Sequence, residues 1–484
     1  MRRAAFGLGL AVAALVALLL VRAAGLRTRQ VKPPAAHPIA VDSFAAAERL
    51  AEAIRVPTIS REDGPAPDSL FARLHATLAR AFPRVHRQLR RETVGSSLLF
   101  TWPGTDPSLP AILLTGHLDV VPIDSASEAR WTHPPFGGVI ADGFVWGRGA
   151  LDDKGSVLAI LEAVEVLLAE GFAPAHTILL AFGHDEEISG REGAKRLAAL
   201  IAARGTRVDW VLDEGGTITS GIVPGIAAPV AVVGIAEKGY LNLELIASDP
   251  GGHSSTPPAH TAIGRLARAI RRIEDRPFPA RVAGATGALL AYAAPEMSLP
   301  LRLAMANLWL FEGPVLARFA GDPRSAAAVR TTAAVTIVSG GTKANVLPTE
   351  ARAIVNFRTL PGDSAATVVS AVRRAVDDSA VMVRALPDPI EASPVSSPES
   401  TGYRAVATTI RQVYPGTVVA PYLVIGATDA RYYVGLTPTV LRFAPGLETA
   451  DSPPRIHGTD ERVGLSEHAH AIRFYAQLIR NATR

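Results

Sequence analysis

A chain of 484 residues is longer than one simple core needs, and with 48% of its residues hydrophobic it is not a disordered polypeptide. Its net charge of +4 comes without any block of basic residues, which argues against a nucleic-acid partner. There are no cysteines, so disulfides and thiolate ligands are excluded, and a metal site must be built from His, Asp and Glu.

Met1-Arg2-Arg3 precedes an unbroken run of Ala, Val, Leu, Phe and Gly from Ala4 to Val21. That length reaches the lower limit for crossing a bilayer. The leading arginines favour a cytoplasmic N-terminus. Residues 1–26 are therefore expected to form a signal anchor. The rival reading, a cleaved signal peptide, would use Val21-Arg22-Ala23, which the bulky Leu18–Val21 run and the arginine make a poor site. On either reading the rest of the chain lies outside the cytoplasm, in a periplasm or extracellular space, tethered or secreted. Residues 27–41 mix Arg, Lys, Pro and Ala without apolar periodicity and read as a linker.

Ala47, Leu50, Ala51 and Ile54 share one face of a helix that stops before Pro57, and Asp68 should cap a second helix running to Ala81. Strands are expected at Ser97–Trp102, Ala111–Thr115, His176–Gly183 and Val208–Leu212, with helices at Gly155–Glu170 and Gly193–Ala203. This alternation predicts an α/β domain, a mixed sheet flanked by helices, with residues 42–235 as its first part. The pattern then changes. Gly239–Ser248 alternates apolar and polar residues, and is followed by a helix at Ala262–Ile273. Strands Ala333–Ser339 and Glu350–Thr359, a helix Ser364–Val376 and a strand Val381–Ala385 complete β-α-β-β-α-β, a ferredoxin-like α+β unit inserted at 236–388. A Pro- and Ala-rich helical stretch, about 276–330, interrupts it and would cover its sheet edge. Residues 389–484 are expected to resume the first domain.

Acidic and imidazole residues gather where apolar segments end. His117 and Asp119 are two apart, so both can face one side of an extended segment, His117 as a metal ligand and Asp119 as the acceptor that fixes its tautomer. Asp152 and Asp153 open a predicted helix. Such acids usually serve as caps, but beside the other segments Asp152 becomes a carboxylate able to bridge two metals. Of Glu186 and Glu187, adjacent residues that point apart, Glu186 is assigned the general base and Glu187 a ligand. Asp213, at the end of the next strand, would complete the ligand set of the second metal, with Glu214 as the alternative ligand. His457 sits in a loop among Pro453, Pro454 and Gly458, where a histidine is usually just solvated.

The ordered set Gly-His117-Leu-Asp119, Gly-Arg-Gly-Ala-Leu-Asp152-Asp-Lys-Gly, Asp185-Glu186-Glu187-Ile-Ser-Gly and Asp213-Glu214-Gly-Gly resembles the dizinc metallopeptidase and aminoacylase family. The likeness is strongest to its carboxypeptidase S and N-fatty-acyl-amino-acid hydrolase branch. It implies two zinc ions per chain, one held by His117, Asp152 and Asp213, the other by Asp152, Glu187 and His457. His253 in Gly252-His253-Ser-Ser would stabilise the oxyanion, often from a partner subunit. Asn345 and Arg358 would hold the substrate's carbonyl and free carboxylate. Gly426-Ala-Thr-Asp429-Ala-Arg431 resembles the loop near the last ligand, although Tyr432 stands where relatives often carry His. The implied activity is cleavage of the amide bond to a C-terminal amino acid in a small peptide or N-acyl amino acid, with a possible homodimer through the inserted lid. A catalytically silent, membrane-tethered binder of such molecules is the other reading, and the complete residue set argues against it.

Overall fold

The structure, a computed structural model, describes residues 2–449 and 455–483. The first helix spans Arg2–Ala24, and its Arg3–Ala24 stretch is long and apolar enough to cross a membrane. The linker after it has no helix or strand, but it is held to the body. Gln30 donates to the Val419 carbonyl and accepts from the Val419 amide, and the His37 amide donates to Gln477.

The body is built on a ten-stranded mixed sheet. Its centre runs in the order Ile178–Gly183, Ala111–His117, Val208–Asp213 and Val440–Arg442, all parallel. Ser97–Trp102 and Arg90–Val94 extend one side antiparallel, and Val230–Glu237 continues the other, pairing with Val418–Val424. Helices Ser43–Ile54, Lys154–Ala169, Thr401–Val413 and Leu465–Ala482 bury Leu50, Leu158, Ile410 and Phe474 in one core. Helix Ala194–Ala203 packs Leu197 and Ile201 against Leu99, Leu113 and Leu179 in another. The parallel strands end together, so His117, the His184–Glu187 loop and the Asp213–Glu214 pair emerge along one crevice, as in open α/β sheets.

One local expectation, the Asp68 cap, is corrected, and one apolar stretch, Val139–Trp146, stays outside the main sheet. Asp142 and Gly143 both have positive φ and fold it into a hairpin, Val139–Ala141 against Phe144–Trp146, which Arg462–Gly464 extends into a separate three-stranded sheet. Asp152 therefore reaches the crevice on the loop entering helix Lys154–Ala169. Asp68 is not a cap but the first helical residue, and its carboxylate accepts from Ser96 Oγ at 2.6 Å.

A second sheet takes the order Thr332–Gly340, Glu350–Thr359, Gly239–Ser248, Val381–Ala385, antiparallel throughout. Helices Ala262–Glu274 and Ala365–Val376 cover one face, packing Leu266, Val368 and Val372 onto Leu243, Val355 and Phe357. That is the ferredoxin-like order. Strand Glu350–Thr359 alternates strictly, so Asn356 and Arg358 lie on the open face with Asn242 and Tyr240 opposite them. Helix Gly284–Ala293, which lies inside the same stretch of sequence, sends Ala285, Tyr292 and Ala293 into the large core instead.

Candidate metal centre

The crevice holds two groups of donor atoms that share one residue. His117 Nε2 lies 2.9 Å from Asp152 Oδ1 and 3.3 Å from Glu214 Oε1. His457 Nε2 lies 3.0 Å from Asp152 Oδ2 and 3.3 Å from Glu187 Oε2. In each group the donor atoms lie within 4.8 Å of one another, close enough for one cation. Asp152 offers one oxygen to each side. Imidazole and carboxylate donors in such small closed sets suit zinc-like divalent ions, and Glu187 keeps a buried carboxylate oxygen with no hydrogen bond. The residues present therefore fit a two-metal site.

The protonation pattern says the same. Burial disfavours a charged His117 ring, yet hydrogen bonds to Asp119, Asp152 and Glu214 carry its pKa well above the usual value. Hydrogen bonds to Asp152 and Glu187 raise His457 to about 10. Burial, then the charge of Asp152, pushes Glu214 up to about 7. Opposing burial, His117 and His457 hold Asp152 below its ordinary range. Without cations, protons neutralise a crowd of carboxylates that divalent ions would neutralise instead.

Asp119 organises two segments. Its carboxylate accepts from the Glu186 and Glu187 amides at 3.1 and 3.2 Å, and lies 3.3 Å from His117 Nδ1, whose nearer contact is the Asp119 carbonyl at 3.0 Å. Glu186 is not in either donor group; burial, with Asp429, Glu214 and Glu187 adding and His117 opposing, pushes its carboxyl well above the ordinary range. A shift in this direction is the one expected of a carboxyl that takes up and passes on protons. Asp185 shapes the same loop by accepting from the Glu192 and Gly193 amides, each at 2.8 Å.

Asp213 does not join either group; Glu214 takes its place. Asp213 is the last paired residue of its strand, aligned with Arg442 on the face of Val211, and its Oδ1 accepts from the Glu214 amide at 3.0 Å. Glu214, one residue past the pairing, is free to turn towards His117. The structure brings together His117, Asp119, Asp152, Glu186, Glu187 and His457. It does not bring His253 or Asn345 to them. Both are exposed in a two-stranded patch of the small unit, where His253 pairs with Val346 and its Nδ1 meets Ser255 Oγ at 2.8 Å. Arg358 stacks on Tyr240 at 4.7 Å, near Arg431.

Sequence reasoning missed Glu461. Fully buried, it accepts from the amides of Gly149, Leu151 and Asp152 at 3.0, 2.8 and 3.2 Å and from Arg148 Nη1 at 2.6 Å. It thus ties the Asp152 loop to the segment carrying His457. The sequence places Asp429 only in a loop near the last ligand. Its carboxylate is buried against Gly183 and Gly190, and a Cβ at Gly190 would overlap it, so the acidic loop needs glycine there.

Residues 113–481 match peptidase family M20/M25/M40. The chain belongs to this family. It is 40% identical over 480 residues to the probable carboxypeptidase S-like 2 of Dictyostelium discoideum, covering 96% of this chain and 92% of that protein. It is 38% identical over 443 residues to the human N-fatty-acyl-amino acid synthase/hydrolase PM20D1, covering 90% and 87%. Among solved structures it superposes on an M20 family metallo-carboxypeptidase from Sulfolobus solfataricus with a TM-score of 0.63 at 18% identity, covering 92% of this chain and all of that one. Human carnosine dipeptidase 1 gives 0.61 at 17%, covering 92% and 100%. As an M20 member with this donor set, the chain is a metal-dependent hydrolase of α/β fold.

Proposed function

We propose that this chain uses two zinc ions to hydrolyse the amide bond to a C-terminal amino acid, in small peptides or N-acyl amino acids. The observation that carries the reading is Asp152, set between His117 and Glu214 on one side and Glu187 and His457 on the other, with Glu186 beside them. When bound, the two ions supply Lewis acidity, polarising a carbonyl and lowering the pKa of water. Glu186 accepts the proton of the attacking water and passes it to the leaving nitrogen as the C–N bond breaks, releasing a carboxylic acid and a free amino acid. Asp119 holds His117 and the Glu186–Glu187 amides in register. Arg358, on the open face of the small sheet, offers its fork to the α-carboxylate; Asn345 holds the carbonyl and His253 the oxyanion. The curated relatives named for both carboxypeptidase and N-fatty-acyl-amino acid hydrolase activity support both substrate types. The N-terminal helix anchors the chain with its catalytic part outside the cytoplasm.

His253 and Asn345 make no hydrogen bond with the metal donors among the described residues, which favours their delivery by a second copy. The edge strand Thr332–Gly340 leaves Ile337 and Val338 exposed at 59% and 61%, and the helices inserted before it pack elsewhere, so an edge is free to pair. Mixing Glu186→Gln chains with His253→Ala chains then restores activity, since one site of each heterodimer is whole; no recovery, with a monomer mass in solution, assigns His253 to its own chain.

The deciding experiment is a hydrolysis screen of blocked dipeptides and N-acyl amino acids, metal-free and with added zinc. Zinc-dependent release of the C-terminal amino acid is expected. Activity that survives complete chelation overturns the mechanism, and tight binding without turnover supports the binder.

A further inference from the structure

The anchor helix does not leave the body as a free stalk. Leu19 and Ala23 in its last turns are buried, Asn307 Nδ2 donates to the Leu19 carbonyl at 3.1 Å, and Arg22 Nε donates to the Ala306 carbonyl at 3.3 Å. Just beyond it, Thr28 Oγ1 donates to Glu296 at 2.5 Å and Arg29 lies over the Tyr292 ring at 5.4 Å. Together with Gln30, these contacts fix the direction in which the helix points from the protein. They also place its end against helix Leu299–Ala306 and against Asn307, the junction to helix Leu308–Ala320.

Those two helices are unlike the others. Between Leu299 and Phe311 the only charged residue is Arg302. Yet no residue of the first helix is buried, and in the second only Val315 is. Leu299, Trp309 and Leu310 are 60%, 58% and 43% exposed. A helix this apolar normally packs inside protein or lipid; here only Leu301 and Met305 rest against the large core, and the outer side is left uncovered. The exposed surface is continuous with that of the anchor helix, where Leu18, Leu20 and Val21 are also bare. Trp309 turns its ring outwards while its Nε1 donates inwards to Asn307 Oδ1 at 3.4 Å, the two-sided arrangement that suits tryptophan to a membrane interface. Charge returns with Glu312, Arg318, Asp322 and Arg324 beyond the patch.

We propose that Leu299–Phe311 is a second, non-spanning membrane contact, which lies in the interfacial layer of the leaflet from which the anchor helix emerges and holds the catalytic body down on a phospholipid surface. The proposal rests on the reading of the N-terminal helix as an anchor. Apolar residues on one side, a tryptophan at the boundary and charges behind it are the features of helices that lie in the plane of a bilayer. Asn307, bonded to both Leu19 and Leu303, is the clamp that makes anchor and contact one surface.

Because the chain has no cysteine, single labels can be placed at will. Leu15→Cys reports the anchor, Leu310→Cys the second contact, and Ser379→Cys an exposed turn of the small sandwich. Each full-length chain is labelled with an environment-sensitive fluorophore in phosphatidylcholine–phosphatidylglycerol vesicles, and quenched by aqueous iodide or by a nitroxide attached to lipid. The expected result is several-fold weaker iodide quenching and several-fold stronger lipid quenching at 310 than at 379, with 15 protected as well. Protection at 15 with iodide access at 310 equal to that at 379 overturns the contact while leaving the anchor. Loss of the label at 15 from the mature chain removes the anchor reading, and lipid quenching at 310 then upholds the contact alone. Shielding of 310 from both quenchers, with excimer formation between pyrene-labelled copies, assigns the patch to a second copy of the chain and also overturns the proposal.

Discussion

Replacing Glu461 by Gln tests whether one buried carboxylate couples the two halves of the metal centre. Glu461 and Arg148 are both buried, and the 2.6 Å contact between them is Arg148's ion pair. An amide at 461 keeps an oxygen for the amides of Gly149, Leu151 and Asp152 but removes the charge, leaving the guanidinium uncompensated in the core. Breaking a buried pair in this way costs about 3–5 kcal/mol. With an unfolding entropy of about 2.1 cal/mol/K per residue, on the order of 1 kcal/mol/K for a 484-residue chain, the midpoint should fall by about 3–5 °C. The damage should also reach the metals, because the weakened amide bonds set the position of Asp152; groups that orient ligands are typically worth about 10–100-fold in metal affinity. Thermal melts of metal-free protein read the first effect, and titration against a competing chelator reads the second. Adding Arg148→Met removes the stranded charge, so the double variant should recover most of the midpoint but not the metal affinity. A Glu461→Gln protein with an unchanged midpoint and unchanged metal affinity would refute the coupling.

Glu214→Gln should lower metal content by about one ion per chain, since it removes one of the two donors beside His117, while Asp213→Asn leaves metal content nearly intact; elemental analysis showing the reverse restores Asp213 as the ligand. Glu186→Gln should keep its metal and lose about 100-fold or more in kcat, whereas Glu187→Gln should lose metal, and equal metal loss in both would show the two roles misassigned. In the metal-free chain His457 is raised from 6.5 to about 10 by Asp152 and Glu187, so its stabilising contribution is full below the unfolded value and is lost as pH rises through about 10. A metal must displace that proton, so zinc binding near neutral pH should release protons and tighten with rising pH, and calorimetry giving the same heat in buffers of different ionisation enthalpy would contradict it.

The sequence was most legible where one residue type and one period suffice. Strand Glu350–Thr359 is strictly alternating and helix Ala262–Glu274 strictly amphipathic, and each was read to within a residue. His117, Asp152 and Glu187 could be assembled because each ends or follows an apolar segment, whereas His457, in a Pro-rich loop, was legible only through the family resemblance. What escaped depends on where a backbone turns. Asp213 and Glu214 are chemically equivalent in sequence, and only the length of the pairing with Val440–Arg442 decides which of them leaves the strand face. Val139–Trp146 looked like one apolar run because the two residues that reverse it, Asp142 and Gly143, are few and central.

Glu461 is the more instructive omission, since nothing near it in sequence suggests a partner 313 residues away. Its role exists only because the loop after Trp146 and the segment after His457 meet, through the pairing of Arg462 with Trp146. That pairing also explains how a lone loop histidine becomes a reliable donor. His457 has a left-handed backbone, φ 58°, and a half-exposed ring, and no helix or strand carries it. The strand Arg462–Gly464 and the buried Glu461 fix the chain five and four residues later, so the loop has little length over which to wander. A ligand set split between distant parts of a chain is therefore held not only by the ligands' own elements but by one short β-pairing and one buried ion pair. Both are invisible until the fold brings the two segments side by side.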